Sequence, residues 1–399
     1  MGTTLITNGQ LIDGTGAPPR PFAGVLIRDA TIDGIYPQLP PGGVQTDATI
    51  DLGGATLLPG LWDAHAHLGM VFPQPALHKT PHHELPADRT VRCGRAAMET
   101  LDHGVTSIRV VGEADYVDVA WKRAFEAGLF TGPRLFVCGR PLIATGGHGW
   151  QSGAGVEVDG PAEVRKAARE QLRRGADQIK LMITGGVASP TETMFESQMT
   201  MDEIEAAVEI AGLKGRKVAA HVGGPLGAKM AVRAGVASIE HGYHLDDEAI
   251  ELMVEHGTTY VPTLAVTQDT EFVMNNNAPF AIAKIQAAAE RHLASFQKAL
   301  AAGVTIATGE DMPVPFAERI IPEIETMVAC GMEPMAAIVA STKNAAELCD
   351  VADRLGTAEV GKVADLIAVR GDPSENISRL NDLLLVFKAG ELVVDRRES

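Results

Sequence analysis

The sequence predicts an α/β chain in which a (β/α)8 TIM barrel carries a small β-sandwich domain built from both termini. Three observations carry this prediction. A unit of amphipathic helix, glycine and apolar strand recurs through the middle, in LDHGVTSIRVV, LRRGADQIKLMI, AVRAGVASIEH, MVEHGTTYVPTL and ALAAGVTIATGED. Both ends of the chain are β-rich in a different style. And 399 residues leave room for a large barrel plus a companion unit.

Residues 1–58 read as short strands broken by Gly, Asp and Pro turns: TTLITNGQLIDG, GVLIRDATIDGIYP and ATIDLGGATLLPG. Residues 360–399 return to that style in GKVADLIAVRGDP and LLLVFKAGELVVD. The two stretches together are assigned to the sandwich, and residues 59–359 to the barrel. In the barrel, glycine just past a helix is the usual left-handed cap. Continuous apolar strands imply burial on both faces, as in a parallel sheet. A βα unit repeated this often favours a closed barrel over an open doubly wound sheet. No GxGxxG follows the first strand, which removes a dinucleotide-binding reading. One helix start is strongly signed: Thr200-Met-Asp-Glu203 is a capping box before DEIEAAVEIA.

Composition sets the class of partner. A formal charge of -17 argues against nucleic acid, because phosphate binding wants a basic stripe. Cys93, Cys138, Cys330 and Cys349 are scattered without CxxC spacing, so neither a zinc-thiolate site nor a disulfide framework is expected. The start, MGTTLITNGQLIDGTG, has no basic region followed by a long apolar one, and no apolar run reaches transmembrane length. The expectation is a soluble, cytoplasmic protein with no membrane partner.

In a barrel the active site collects at the C-terminal ends of the strands. The first strand ends in GLWDAHAHLG, where His65 and His67 are two residues apart and share a face. The fourth, QIKLMITGG, carries Lys180; the fifth, KVAAHVGG, ends in His221; the sixth, ASIEHGYH, in His241; the last, TIATGED, in Asp311. Each has a plainer reading: a hydrogen-bonded core histidine, a helix N-cap for Asp311, a rim-seeking or Schiff-base lysine for Lys180. Those readings would have to recur independently at five strand ends, and a Schiff-base aldolase leaves the HxH pair unexplained. Imidazoles and a carboxylate are the ligands that zinc and related divalent ions take.

With that set assembled, the chain resembles the amidohydrolase superfamily, in its imidazolonepropionase-like and Xaa-Pro dipeptidase (prolidase) branch, which includes ochratoxin-type amide hydrolases. The resemblance runs from LPGLWDAHAHL to GKVADLIAVRGDP. It implies two divalent ions, zinc by default: His65, His67 and Asp311 on the more buried one, His221 and His241 on the second, and Lys180, carboxylated by CO2, bridging both. It further implies that a metal-bridging hydroxide attacks an amide carbonyl, with Asp311 as proton shuttle. His148 of the TGGHG segment, Thr145 to Gly149, would contact the scissile carbonyl, with Tyr243 beside it. The implied substrate is a small amide: a dipeptide, an N-acyl amino acid or an aryl amide such as ochratoxin. The protein is expected to be a homo-oligomer.

Two departures bear on specificity. The last strand reads GED where relatives have GTD, so Glu310 adds a carboxylate. After His241 the order is Gly-Tyr243-His244 where relatives have Gly-Thr-Tyr, so Tyr243 and His244 share the candidacy for substrate contact. The stretch FPQPALHKTPHHELPADR (72–89), with His78, Lys79, His82, His83 and Arg89, reads as a lid whose cations hold a substrate carboxylate. The rival readings are ring opening of a cyclic amide or imidazolone, and a non-catalytic binding protein on the same fold. Members of that last kind typically lose ligands, and here every ligand is present.

Overall fold

Each helix–glycine–strand unit turns on a glycine in the left-handed region. Gly175 caps the helix Gly160–Arg174 at φ 111°, and Gly235 caps Pro225–Ala234 at φ 91°. A residue without Cβ takes these angles at little cost. The chain therefore reverses at once and enters a buried strand, Gln178–Met182 or Ser238–His241. The computed structural model describes residues 2–69, 85–311 and 320–397. It is an α/β protein with parallel strands through its middle.

Those strands form two parallel sets. One is six-stranded, in the order Val156–Glu157, Leu142–Ile143, Gln178–Met182, Lys217–Val222, Ser238–His241, Thr259–Val261. The other is three-stranded: Arg134–Phe136, Val105–Val110, Leu61–Ala66. The break falls inside the third expected strand. Gly139, at φ 68°, and Pro141 divide it into Arg134–Phe136 and Leu142–Ile143. A hydrogen bond from Asp177 N–H to the Val137 carbonyl, 2.7 Å, spans the gap. Among the described residues, the last expected strand, TIATGED, forms a single parallel bridge, Ile306 with Tyr260. Ala64 N–H on the HxH strand donates to the Thr308 carbonyl at 2.8 Å.

The termini form two further sheets. A four-stranded sheet runs Thr31–Tyr36, Gly24–Arg28, Thr3–Thr7, Ala48–Asp51. A six-stranded one runs Glu391–Asp395, Leu383–Lys388, Leu366–Val369, Thr56–Pro59, Gly9–Leu11, Arg20–Phe22. The antiparallel pairing of Leu366–Val369 with Thr56–Pro59 joins the two ends of the chain. Ile6, Val25 and Ile32 of the first sheet share one apolar cluster with Leu57, Leu366 and Phe387 of the second. A separate, larger cluster fills the space between the parallel strands and their helices. The capping box forms: Glu203 accepts Thr200 N–H at 2.7 Å at the start of Met201–Gly212. Among the described residues no helix is long and apolar enough to cross a membrane.

Candidate active site

His65 sits in the strand Leu61–Ala66 and His67 just beyond it, with ring centroids 5.5 Å apart. The strand is irregular here because Asp63 Oδ1 takes the His65 N–H, at 2.9 Å. Both Nε2 atoms lie 3.4 Å from Asp311 Oδ1. One ligand atom from each of the three residues falls within 4.8 Å of the others. The His241 ring lies 4.8 Å from His65 and 4.6 Å from His221. Lys180, buried within Gln178–Met182, lines the same cavity as these five. The six residues named from the sequence thus come together.

The backbone works to hold them there. His241 and Asp311 have φ values of 66° and 50°, a region where side chains are strained by about 1–3 kcal/mol each. Gly309 lets the Asp311 segment approach the HxH strand: a Cβ there would lie 2.5 Å from His65 Cβ and 2.8 Å from His65 N.

A set of partners fixes each imidazole. Glu240 Oε2 lies 2.7 Å from His65 Nδ1, and Arg109 Nη2 donates to both Glu240 oxygens at 2.7 Å. Arg109 Nη1 also donates to Ser238 Oγ at 2.9 Å. His67 Nδ1 meets the Gly112 carbonyl at 2.8 Å, His241 Nδ1 meets Thr263 Oγ1 at 2.8 Å, and His221 Nε2 meets the Gly185 carbonyl at 3.1 Å. Each ring keeps a second nitrogen for another partner. Burial pushes His67 down to about 4, and His221 and His241 well below the ordinary range, so all three are neutral at pH 7. Burial would raise the Asp311 carboxyl, but His65 and His67 beside it hold it below its usual value. Neutral imidazoles around an ionised carboxylate form a donor set that suits a divalent cation.

Arg109 and Glu240 were not among the site residues expected from the sequence. Both are charged residues inside apolar strands, TSIRVV and ASIEH, which is the signal that marked Lys180.

The cavity has a volume of about 490 Å3, and His148 and Tyr243 line it. His148 stacks on His221 at 4.3 Å, its Nδ1 is 3.0 Å from Glu192 Oε1, and its N–H donates to Gln198 Oε1 at 2.8 Å. It is not a solvent-facing turn residue. Tyr243 stacks on His241 at 5.2 Å, and burial keeps its phenol well above the ordinary range, hence protonated. His244 is not among the described residues that line the cavity; its ring meets Phe195 edge-on at 6.1 Å. Glu310 is buried and is likewise absent from the lining. Of the expected lid, His78, Lys79, His82 and His83 lie outside the described residues. Arg89, on the helix Pro86–Asp102, lines the cavity and pairs with Asp115 at 3.1 Å. Val266, Phe272, Phe280 and Ile285 give the cavity an apolar wall that sequence reading had not singled out.

The model of the amidohydrolase family matches residues 56–393, and the chain belongs to that family. It is accordingly a hydrolase of amide-type C–N bonds, in a family that generally uses divalent metals and whose solved members imply a TIM barrel. It is similar to the ochratoxinase of Aspergillus niger, 34% identical over 424 aligned positions that span 98% of this chain and 86% of that one. The crystal structure of A. niger ochratoxinase superposes with a TM-score of 0.89 at 33% identity, covering 100% of this chain and 97% of that one. The crystal structure of a Xaa-Pro dipeptidase with bound methionine in the active site gives 0.91 at 35% identity, covering 99% and 100%. An imidazolonepropionase of Symbiobacterium thermophilum is 31% identical over 176 residues, 42% of this chain and 37% of that one.

Proposed function

We propose that the chain is a binuclear metal-dependent amidohydrolase that cleaves an amide or peptide bond in a dipeptide, an N-acyl amino acid or an aryl amide. The observation that carries this reading is the convergence of four imidazoles, one carboxylate and one buried lysine on a single cavity. His65, His67 and Asp311 would hold one ion and His221 and His241 the other. Two imidazoles alone leave the second set short, and a carboxylated Lys180 would supply the oxygen ligands that it lacks. Burial pushes the Lys180 ammonium below its ordinary range, which favours the neutral amine that must attack CO2, releasing one proton as the carbamate forms. When bound, the ions supply Lewis-acid polarisation of the carbonyl and a water acidified toward a pKa of ~7.

The chain's own groups do the rest. Asp311, held ionised by its histidines, accepts a proton from the attacking water and delivers it to the leaving amine. His148 and the protonated Tyr243 donate to the developing oxyanion. Val266, Phe272, Phe280 and Ile285 favour a bulky apolar group on the substrate, and Arg89 supplies a cation for its carboxylate.

The reading includes the architecture: a closed barrel over 59–359 and a sandwich from 1–58 and 360–399. The Ala64–Thr308 hydrogen bond supports the first, and the apolar cluster shared by the terminal sheets supports the second. It also includes zinc as the metal and a cytoplasmic homo-oligomer; four free cysteines fit a reducing compartment. Ring opening of an imidazolone is the weaker reading: over nearly the whole chain the ochratoxinase likeness is 34% identical, whereas an imidazolonepropionase that spans 97% of this chain is 22% identical. The test is a panel of N-acyl amino acids, Xaa-Pro and other dipeptides, aryl amides and cyclic amides, with product release measured. Cleavage of the linear amides supports the proposal, and cleavage of cyclic amides alone would replace it.

A further inference from the structure

His148 is held from three sides, and the support reaches back to the cavity wall. Its ring lies against His221 at 4.3 Å. Gly186 backs onto it so closely that a Cβ there would sit 2.2 Å from His148 Cε1. Glu192 makes the third contact, 3.0 Å from Nδ1, and its Oε1 also accepts Ser189 N–H at 3.0 Å. Glu192 is itself buried. Burial would raise its carboxyl, but the His148 hydrogen bond brings it below the ordinary range.

One lysine pins the turn that carries both Gly186 and Glu192. Lys284 Nζ donates to the carbonyls of Gly186, Ser189 and Glu192 at 3.2, 2.5 and 2.6 Å. An ammonium has three protons, and here all three go to backbone oxygens of the one turn. Lys284 belongs to the helix Pro279–Ala302, whose Ala281 and Ile285 line the cavity. The helix that lines the cavity thus also holds the turn behind His148.

We propose that Glu192 is the positioning residue of His148, and that Lys284 positions the turn from which Glu192 acts. The inference rests on the reading of His148 as the group that touches the scissile carbonyl. A carboxylate at Nδ1 sets the ring's rotation and accepts its Nδ1–H; donation to an oxyanion then goes through Nε2–H, so the form that acts is the imidazolium with both ring protons in place. Loss of Glu192 lets the ring turn away from the geometry an oxyanion donor requires.

A double-mutant cycle tests this on the panel amide that is cleaved fastest. Glu192→Ala, Lys284→Met, His148→Ala and the two doubles with His148→Ala are compared, with metal content measured for each. His148→Ala is expected to lose roughly 10²–10³ in kcat. Glu192→Ala is expected to lose about 10–100-fold in kcat, the usual range for a supporting partner, with KM little changed. Glu192→Gln, whose amide oxygen still accepts the Nδ1 proton, should recover most of that rate. In the His148→Ala background neither Glu192→Ala nor Lys284→Met should lower kcat further. Equal losses in both backgrounds would overturn the proposal. Unchanged turnover in His148→Ala would overturn the reading of His148 itself, and that single variant reports it without any change at Glu192. If Glu192→Ala does not fold, Glu192→Asp carries the cycle: one methylene shorter, it should lose rate where Glu192→Gln keeps it, and equal rates for the two would count against the proposal.

Discussion

In the proposed mechanism Asp311 combines two duties in one carboxylate, as metal ligand and as proton shuttle. Its position 3.4 Å from both His65 and His67 Nε2 allows both. Asp311→Asn should therefore lose three or more orders of magnitude in turnover, at or beyond the upper part of the ~10²–10⁴ that acid–base transfer alone supplies. Steady-state rates checked beside far-UV circular dichroism would separate this from unfolding. A near-wild-type rate would remove Asp311 from proton transfer. Glu113 makes a different prediction. It is buried, accepts Gly69 N–H at 2.9 Å, and burial pushes its carboxyl up to about 8 from a model-peptide value of 4.5. The folded chain thus keeps the Glu113 proton over a range in which the unfolded chain has lost it. The stability this contributes is fully present below about 4.5 and is lost as pH rises through about 8, with a slope of up to ~1.4 kcal/mol per pH unit. Urea unfolding at a series of pH values should show a shallower decline for Glu113→Gln, and identical slopes would refute the assignment.

At the scale of the element, strands bring the site residues in and glycines let them close. Gly309 has an ordinary φ, so its role is purely one of space. The atoms an added methyl would meet are His65 Cβ, Val261 Cγ1 and the His65 backbone nitrogen, none at the end of a long flexible side chain. Gly309→Ala should destabilise by roughly 1–3 kcal/mol and lower metal retention in dialysis. Gly212→Ala, in a helix with nothing within 4 Å of the new Cβ, should do neither. Equal melting temperatures and metal content for the two variants would contradict this account. The helix–glycine–strand rhythm was legible in the sequence because cap and strand are local: Gly175 and the Gln178 strand lie three residues apart. The split of the third strand was not, although Gly139 and Pro141 were in plain view. Whether a glycine and a proline interrupt a strand or merely bend it depends on what packs against them, here Gln171 and Tyr116 against Gly139.

Over the whole molecule, the residues that line the site were more legible than those that support it. His65, His67, Lys180, His221, His241 and Asp311 could be named because strand ends in a barrel share one face, so topology converts distant sequence positions into neighbours. The supporting contacts follow no such rule. Arg109 reaches Glu240 across 131 residues, His65 reaches Glu240 across 175, and Lys284 reaches Gly186 across 98. Glu192 lies in an irregular stretch with no periodicity to mark it. His244 is adjacent to Tyr243 in sequence, yet only Tyr243 of the two lines the cavity among the described residues. The centre of the account is that the six-residue set holds metal and that hydrolysis depends on it. Metal content and amide hydrolysis, followed together through chelation and re-addition, test that most directly. The account predicts about two divalent ions per chain, loss of hydrolysis as they are removed, and recovery on their return. Full hydrolytic activity in protein stripped of metal would contradict it.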